Sequence, residues 1–195
     1  MQVLVVFAHP DPNSFNRALC DRAVTTLARK HEVTLIDLYA EGFDAAMTTE
    51  ERIAYETSDP IRCDKVRASA ELIRNAEALV FVYPTWWFGL PAVLKGWLER
   101  VLVPGVGFFL DEKTNKVVPG LRRVRRIAGI TTYGSSRWNV ALMNDGGRRI
   151  IGRCLRMMSS KLCRRTWLGL YGMDRTTDAQ RHDFLATVEQ KLARW

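Results

Sequence analysis

The chain alternates apolar runs rich in β-branched residues with segments of helical periodicity. The first run, QVLVVFA at residues 2–8, is almost continuously apolar, as in a strand that is buried on both faces of a parallel sheet. Apolar side chains recur three and four positions apart over residues 90–101, which predicts an amphipathic helix. Five such alternations predict an α/β fold, a doubly wound five-stranded parallel sheet with helices on both faces. The strands are expected at residues 2–8, 31–38, 77–84, 125–134 and 163–171.

The segments between the predicted strands carry further structural signals. Pro84 is expected to end the third strand, because proline cannot donate a hydrogen bond to a neighbouring strand. Thr177 and Gln180 form a capping box that predicts the start of the last helix. Residues 39–60 are expected to form a polar excursion with a short helix from Thr49. The other helices are expected at 15–29, 61–75 and 138–160, the last interrupted at Gly146–Gly147, with a loop at 103–121 and a single domain, 1–195.

Composition narrows the class of protein. No apolar stretch reaches the roughly 18 residues that a membrane-spanning helix needs, and the first residues carry neither a basic segment nor a small-residue cleavage site. A cytoplasmic protein without stable membrane insertion is therefore expected. The four cysteines form no CxxC pair and the three histidines are widely spread, so reduced thiols and no metal site are predicted.

Positive charge is concentrated in one part of the chain. The net charge is +8, and residues 121–165 contain twelve Lys or Arg side chains but a single acid, Asp145. Such a segment is most simply a solvated surface, and it could also bind cofactor phosphates or nucleic acid. No RNA-binding aromatic signature or zinc finger accompanies the charge, so nucleic acid is not the expected partner.

Three turns that follow predicted strands carry the residues suited to ligand binding, and the ligand site of an open parallel sheet lies beyond the carboxyl ends of its strands. The first turn (residues 9–16, HPDPNSFN) offers imidazole, amide and hydroxyl donors at a helix start, which suits an anion as well as an ordinary cap. The aromatic turn (84–91, PTWWFGLP) places three large rings together, which could pack in the core, form a dimer interface or flank a planar ligand. The threonine turn (131–136, TTYGSS) could direct backbone N–H groups at an anionic ring edge. The chain has neither a Walker pattern nor a GxGxxG motif.

Four stretches resemble the NAD(P)H:quinone oxidoreductase family, whose members include the modulator-of-drug-activity and potassium-efflux ancillary oxidoreductases. The stretches are LVVFAHPDPNSFN, DLYAEGF, YPTWWFGLPAVLKGWLERV and ITTYGSS, and they occur in the family's order across nearly the whole chain. The resemblance implies a flavodoxin-like fold and a bound flavin, FAD or alternatively FMN. It also implies hydride transfer from NAD(P)H to quinones or similar small electrophiles, by a two-electron ping-pong mechanism.

The same resemblance implies which residues would hold the flavin. The phosphates would be held by residues of the first turn: His9, Asn13, Ser14, Phe15 and Asn16. The isoalloxazine ring would be lined by residues of the aromatic turn: Pro84, Thr85, Trp86, Trp87 and Phe88. The pyrimidine side would contact Thr131, Thr132, Tyr133 and Gly134, and the adenosine half would lie near Arg181.

The chain departs from the family's pattern in two places. Tyr133 stands where the family commonly has the first glycine of Thr-Thr-Gly-Gly, and no histidine follows the threonine turn, where members carry a tyrosine and a histidine for proton handling. The family usually forms two-fold dimers with active sites at the interface, so a homodimer is expected, with Trp87–Phe88 and residues 103–120 as candidate contacts. An alternative that the family also implies is a flavin-binding regulatory or ancillary subunit of a membrane transport system.

Overall fold

A computed structural model describes all residues, 1–195. It contains a five-stranded, wholly parallel sheet in the order β2-β1-β3-β6-β7, and a separate antiparallel hairpin of β4 and β5. The predicted α/β class and the flavodoxin-like sheet are therefore confirmed. The strands are β1 Gln2–Phe7, β2 Glu32–Asp37, β3 Ala78–Thr85, β4 Phe108–Leu110, β5 Val117–Pro119, β6 Arg126–Tyr133 and β7 Arg164–Tyr171.

Helices connect the parallel strands and cover both faces of the sheet. The predicted capping box is confirmed, since Thr177 and Gln180 bond reciprocally at the start of the last helix. None of the helices is both long enough and apolar enough to cross a lipid bilayer. The helices are α1 Phe15–Ala28, α2 Thr49–Ala54, α3 Asp64–Asn75, α4 Ala92–Val101, α5 Arg137–Leu142, α6 Gly146–Arg149, α7 Leu155–Met157 and α8 Asp178–Leu192, with a π-helical turn at Ile150–Cys154 and a 3₁₀ turn at Met173–Arg175.

The core lies in two layers, one on each side of the sheet. Along β3, Val80 belongs to the layer covered by α1 and α8, whereas Phe81 belongs to the layer covered by α3 and α4. Both side chains are fully buried. This arrangement explains why β1 and β3 are apolar along most of their length and do not alternate between apolar and polar residues.

The sequence predicted that the third strand ends at Pro84, but the strand runs one residue further. Pro84 lies inside β3 and pairs with Thr132 of β6, and the strand continues to Thr85. The carbonyl of Val82 accepts from the amide of Ala8 (3.0 Å) at the end of β1. Residues two apart in a strand direct their backbone groups to the same side, so the backbone of Pro84 also points toward the β1 side. Because β1 has already ended there, the missing N–H of Pro84 removes no hydrogen bond between strands.

Two connections differ from their expected form. The predicted loop at 103–121 contains the β4–β5 hairpin, in which Phe108 pairs with Pro119. The predicted helix at 138–160 is broken just before Gly146, because Asn144 and Asp145 both adopt positive φ (64° and 34°), and it continues through the π-helical turn. A strand of three residues is too short to give a periodic signal, which is why the hairpin escaped detection.

A buried ion pair fixes the 39–60 excursion to helix α4. Arg100 on α4 donates from Nε and Nη2 to the carboxylate of Glu51 on α2 at 2.7–3.1 Å, and both side chains are at most 7% exposed. Gly96 on the same helix lies so close to Ala45 that a Cβ atom there would sit 2.1 Å from the Ala45 carbonyl oxygen. The excursion is therefore packed on α4 by charge pairing and by close backbone contact.

Candidate functional site

The first, aromatic and threonine turns meet at the carboxyl edge of the sheet. Asn16 donates from Nδ2 to Thr132 Oγ1 (2.9 Å), which joins the first turn to the threonine turn. The hydroxyls of Thr85 and Thr131 lie 2.9 Å apart and join the aromatic turn to the threonine turn. The ring centroid of His9 lies 6.1 Å from that of Trp86. The convergence that the parallel sheet predicted is therefore present.

The first turn is folded by its own short-range hydrogen bonds. Ser14 caps α1 by accepting from the amide of Arg17 (3.2 Å), and the amide of Asp11 donates to Nδ1 of His9 (3.0 Å). Because Nδ1 is the acceptor, a neutral His9 carries its proton on Nε2 and can donate from that atom. The amides of Phe15 and Asn16 have no acceptor in the chain, as at any helix start, so this turn presents several unpaired donors.

The aromatic turn adopts a strained conformation. Trp87 and Phe88 have positive φ angles of 48° and 57°, and the amide of Gly89 donates to the Trp86 carbonyl (3.0 Å), as in a type I′ turn. Large side chains rarely occupy this region of φ/ψ space. The Phe88 carbonyl accepts from the amide of Gly146 (3.0 Å), which holds the turn in place. The Trp87 side chain is 99% exposed and fills no part of the core.

The threonine turn rests on a buried polar network that the sequence analysis did not find. The Tyr133 hydroxyl donates to Oδ2 of Asp145 (2.7 Å) and accepts from Nε1 of Trp167 (3.2 Å), while its ring stacks on Tyr171 at 4.5 Å. Burial, reinforced by the hydrogen bond to Asp145 and by its charge, raises the pKa of Tyr133 well above its usual value. Tyr133 therefore keeps its proton and acts as a hydrogen-bond donor to the carboxylate.

A cleft opens between the aromatic and threonine turns. Its volume is about 430 Å³, which lies in the range of small-molecule sites. Residues of the aromatic turn line one side, and residues of the threonine turn line the other together with Val140 of α5. We name this the aromatic cleft, and its lining residues are Thr85, Trp86, Trp87, Phe88, Tyr133, Gly134, Ser135 and Val140.

Several residues expected to contact a ligand also join the turns to one another. Asn16, Thr131 and Thr132 are buried, and their side-chain groups are engaged in the hydrogen bonds between turns. Asn16 Oδ1 is nevertheless buried without a partner. The Arg181 side chain donates to Thr176 and Asp178 at the start of α8 and does not line the aromatic cleft.

The remaining expected residues divide between exposed and buried positions. Asn13 is exposed, and its backbone amide donates to Oδ1 of Asp11 (2.8 Å). Pro84 is buried within β3. The sequence did not indicate Val140 as a lining residue, nor the Asp145 and Trp167 side chains behind Tyr133. One feature of the sequence could have indicated this buried network: Asp145 is the only acid in the strongly basic segment 121–165.

Comparison with known proteins places the chain in a family. Residues 1–192 match the family model described as having a flavodoxin-like fold. The chain belongs to this flavodoxin-like family. The solved structure of an NAD(P)H:quinone oxidoreductase from Methanothermobacter marburgensis superposes on this flavodoxin-like chain with a TM-score of 0.77 and 25% identity, over 98% of this chain and 94% of that chain.

Two curated relatives share more of its sequence over shorter regions. A ribosyldihydronicotinamide dehydrogenase-like protein of Penicillium crustosum is 35% identical over 133 residues, which are 60% of this chain and 49% of that protein. NAD(P)H dehydrogenase (quinone) 1 of Cavia porcellus is 32% identical over 150 residues, which are 69% of this chain and 54% of that protein. The chain thus spans about half the length of these relatives. The resemblance to quinone oxidoreductases seen in the motifs is confirmed.

Proposed function

We propose that this chain is a flavin-dependent oxidoreductase that transfers a hydride from NAD(P)H to quinones or similar small electrophiles. The convergence of the first, aromatic and threonine turns at one edge of the sheet, where the last two line the aromatic cleft, carries the proposal. The similarity to an NAD(P)H:quinone oxidoreductase and to an NAD(P)H dehydrogenase (quinone) supports the same reaction class.

The aromatic cleft suits the planar ring of a flavin, and the first turn, whose His9 ring lies 6.1 Å from that of Trp86, suits its phosphate. Large rings at Trp86, Trp87 and Phe88 form one wall, so an apolar face of a flat ligand would be buried against them. The unpaired amides of Phe15 and Asn16, with the donor Nε2 of His9, suit a phosphate at the positive end of α1. The buried, unpartnered Oδ1 of Asn16 is an acceptor that a bound ligand could satisfy. FAD is the proposed flavin, with FMN as the alternative.

The protein would supply binding, orientation and an apolar surface for the reaction. A bound flavin supplies the hydride chemistry between NAD(P)H and the acceptor. The exposed ring of Trp87 stands at the rim of the cleft, where it can cover a substrate. Gly134 and Ser135 border the cleft opposite the rings and would face the polar edge of the flavin. One open cleft suits a ping-pong scheme, in which NAD(P)H and the acceptor occupy it in turn.

The missing family histidine leaves a different arrangement behind the threonine turn. Tyr133 and Asp145 form a buried pair, and this pair holds the backbone of Tyr133 and the start of α6 together. We assign this pair a positioning role, because the Tyr133 ring is fully buried and its hydroxyl is bound to Asp145 and Trp167. The proton that accompanies acceptor reduction would then come from solvent at the open cleft.

The proposal is tested on the purified protein in two measurements. Chromatography of the supernatant after heat denaturation should release FAD, and a release of FMN would select the alternative. Anaerobic mixing of the flavin-loaded protein with NADH or NADPH should bleach the flavin in a single phase, and a quinone added afterwards should restore the colour. A protein that releases no flavin, or that stays yellow in excess NADH and NADPH, would refute the proposal.

A further inference from the structure

A second and larger cleft lies behind the threonine turn, on the face of β6 and β7 that carries Trp167. Its volume is about 700 Å³, and we name it the arginine cleft. It shares no lining residue with the aromatic cleft. Four guanidinium groups surround it, those of Arg148, Arg149, Arg153 and Arg165.

None of these four arginines is neutralised by a carboxylate. The structure contains ten ion pairs, and all of them involve other basic side chains. Asp145 is the only acid that lines the cleft, and its two oxygens already accept from the Tyr133 hydroxyl and from the backbone amide of Arg148. Four positive charges therefore face the single negative charge of Asp145, and the cleft keeps an excess of positive charge.

The walls of the cleft keep these charges around one concave space. Arg165 donates from Nη1 to the Gly152 carbonyl (2.7 Å), which ties β7 to the π-helical turn. The Arg148 guanidinium lies over the Trp167 ring, 5.9 Å from its centroid. Trp167 in turn packs on Gly129, where an added Cβ atom would sit 2.2 Å from the indole ring. π-Helical turns are rare and are often found at functional sites.

We propose that the arginine cleft binds a phosphorylated small molecule with at least two negative charges. Arginine matches phosphate because its planar fork donates two parallel hydrogen bonds to a pair of oxygens. Several like charges around a concave, low-dielectric wall focus a positive potential, and a multivalent anion relieves their mutual repulsion. A pocket of this volume encloses a small molecule, whereas nucleic acids are bound along extended basic surfaces.

Arg149 and Arg153 give the sharpest test, because both are exposed and neither side chain makes a hydrogen bond or ion pair in the chain. The double variant Arg149→Gln/Arg153→Gln should therefore fold normally, as judged by its urea midpoint. Arg123→Gln/Arg194→Gln is the matched control, since it removes the same charge from two exposed arginines outside the cleft. The probe is inorganic pyrophosphate, titrated calorimetrically into the full chain.

We expect one pyrophosphate per chain, with an affinity that falls as salt is added. The cleft variant should bind at least about tenfold more weakly, because charge-assisted contacts are lost, and the control pair should bind like the wild type. An equal loss in both double variants, or no binding to the wild type, would overturn the proposal. Binding of a DNA duplex that pyrophosphate cannot displace would also overturn the proposal.

Competition identifies the source of the phosphate. Displacement of pyrophosphate by NADPH but not by NADH would point to the 2′-phosphate of a co-substrate. If ADP and NADH displace pyrophosphate as well, the cleft recognises the diphosphate group that these molecules share. These titrations require no turnover, and the cleft variant changes no residue of the first turn, so their result is independent of the proposed oxidoreductase function.

Discussion

At the scale of single residues, the aromatic turn combines strain with exposure. Trp87 holds a φ of 48° although its side chain contacts almost nothing, being 99% exposed. A left-handed conformation costs a non-glycine residue about 1–2 kcal/mol. The exposed Trp87 ring gains no packing in the free chain that would offset this cost. We therefore infer that the strained conformation serves to place the ring over a bound ligand.

Replacement of Trp87 should therefore separate stability from function. Trp87→Gly should raise the free energy of unfolding by about 0.5–1 kcal/mol, because relief of strain exceeds the extra flexibility of glycine in the unfolded chain. The same variant should raise the KM for the quinone. Urea unfolding and steady-state kinetics measure the two effects.

Asn115→Gly is the control for this variant, because Asn115 also has positive φ (53°) but lies in the exposed β4–β5 turn. It should leave the KM unchanged. A loss of stability in Trp87→Gly, or an unchanged KM, would contradict the interpretation of the turn.

Tyr133 provides a second residue-scale prediction. Tyr133→Phe leaves one oxygen of Asp145 and the indole N–H of Trp167 without their partner. Buried polar groups left unpaired cost about 1–3 kcal/mol, and urea unfolding should show a loss of this size. Tyr171→Phe keeps the stacked ring and removes a hydroxyl that makes no hydrogen bond, so it should change stability by less than about 0.5 kcal/mol. Equal effects of the two variants would argue against the network.

At the scale of elements, the 39–60 excursion depends on one buried ion pair. Arg100→Met leaves the Glu51 carboxylate buried without its partner, which should lower the free energy of unfolding by about 3–5 kcal/mol. Adding Glu51→Leu should recover part of this loss, because the unpaired charge is then removed. Thermal and urea unfolding measure all three proteins.

The exposed pair of Arg52 and Glu56 is the matched control for this prediction. Its atoms lie 3.5 Å apart, and the two side chains are 64% and 78% exposed. Arg52→Met should cost at most about 1 kcal/mol. If Arg100→Met cost no more than Arg52→Met, the ion pair would not fix the excursion.

At the scale of the whole molecule, exposed apolar side chains near the aromatic turn lead us to propose the homodimer that the family resemblance implies. Trp138 and Leu142 lie four residues apart on α5, on one face, and are 77% and 72% exposed. Val140 of the same helix lines the aromatic cleft together with Trp87. A second copy packed here would cover the apolar face and enclose the cleft.

Charges placed on this face should therefore separate the protomers. Trp138→Glu/Leu142→Glu should shift the protein toward monomer at micromolar concentration, as measured by sedimentation velocity. Met157→Glu/Leu162→Glu is the control, since it adds the same charge at equally exposed apolar positions (66% and 84%). A wild-type protein that sediments as a monomer would rule out the homodimer, and equal dissociation of both variants would rule out this face.

The sequence alone determined the elements and the convergence of the three turns. Continuous apolar runs identified β1 and β3, because a strand that is buried on both faces is apolar along most of its length. The other three strands of the parallel sheet followed from the alternation of β-rich segments with helical periodicity. Parallel strands place their following turns at one edge, so the meeting of the first, aromatic and threonine turns also followed.

Only the tertiary structure decided what each residue does at that edge. Asn16, Thr131 and Thr132 join the turns, Tyr133 faces Asp145, and four arginines from α6, the π-helical turn and β7 surround one cleft. These contacts link residues up to 116 positions apart. Local propensity carries no information about such pairs, because they depend on which faces of separate elements come together when the core packs.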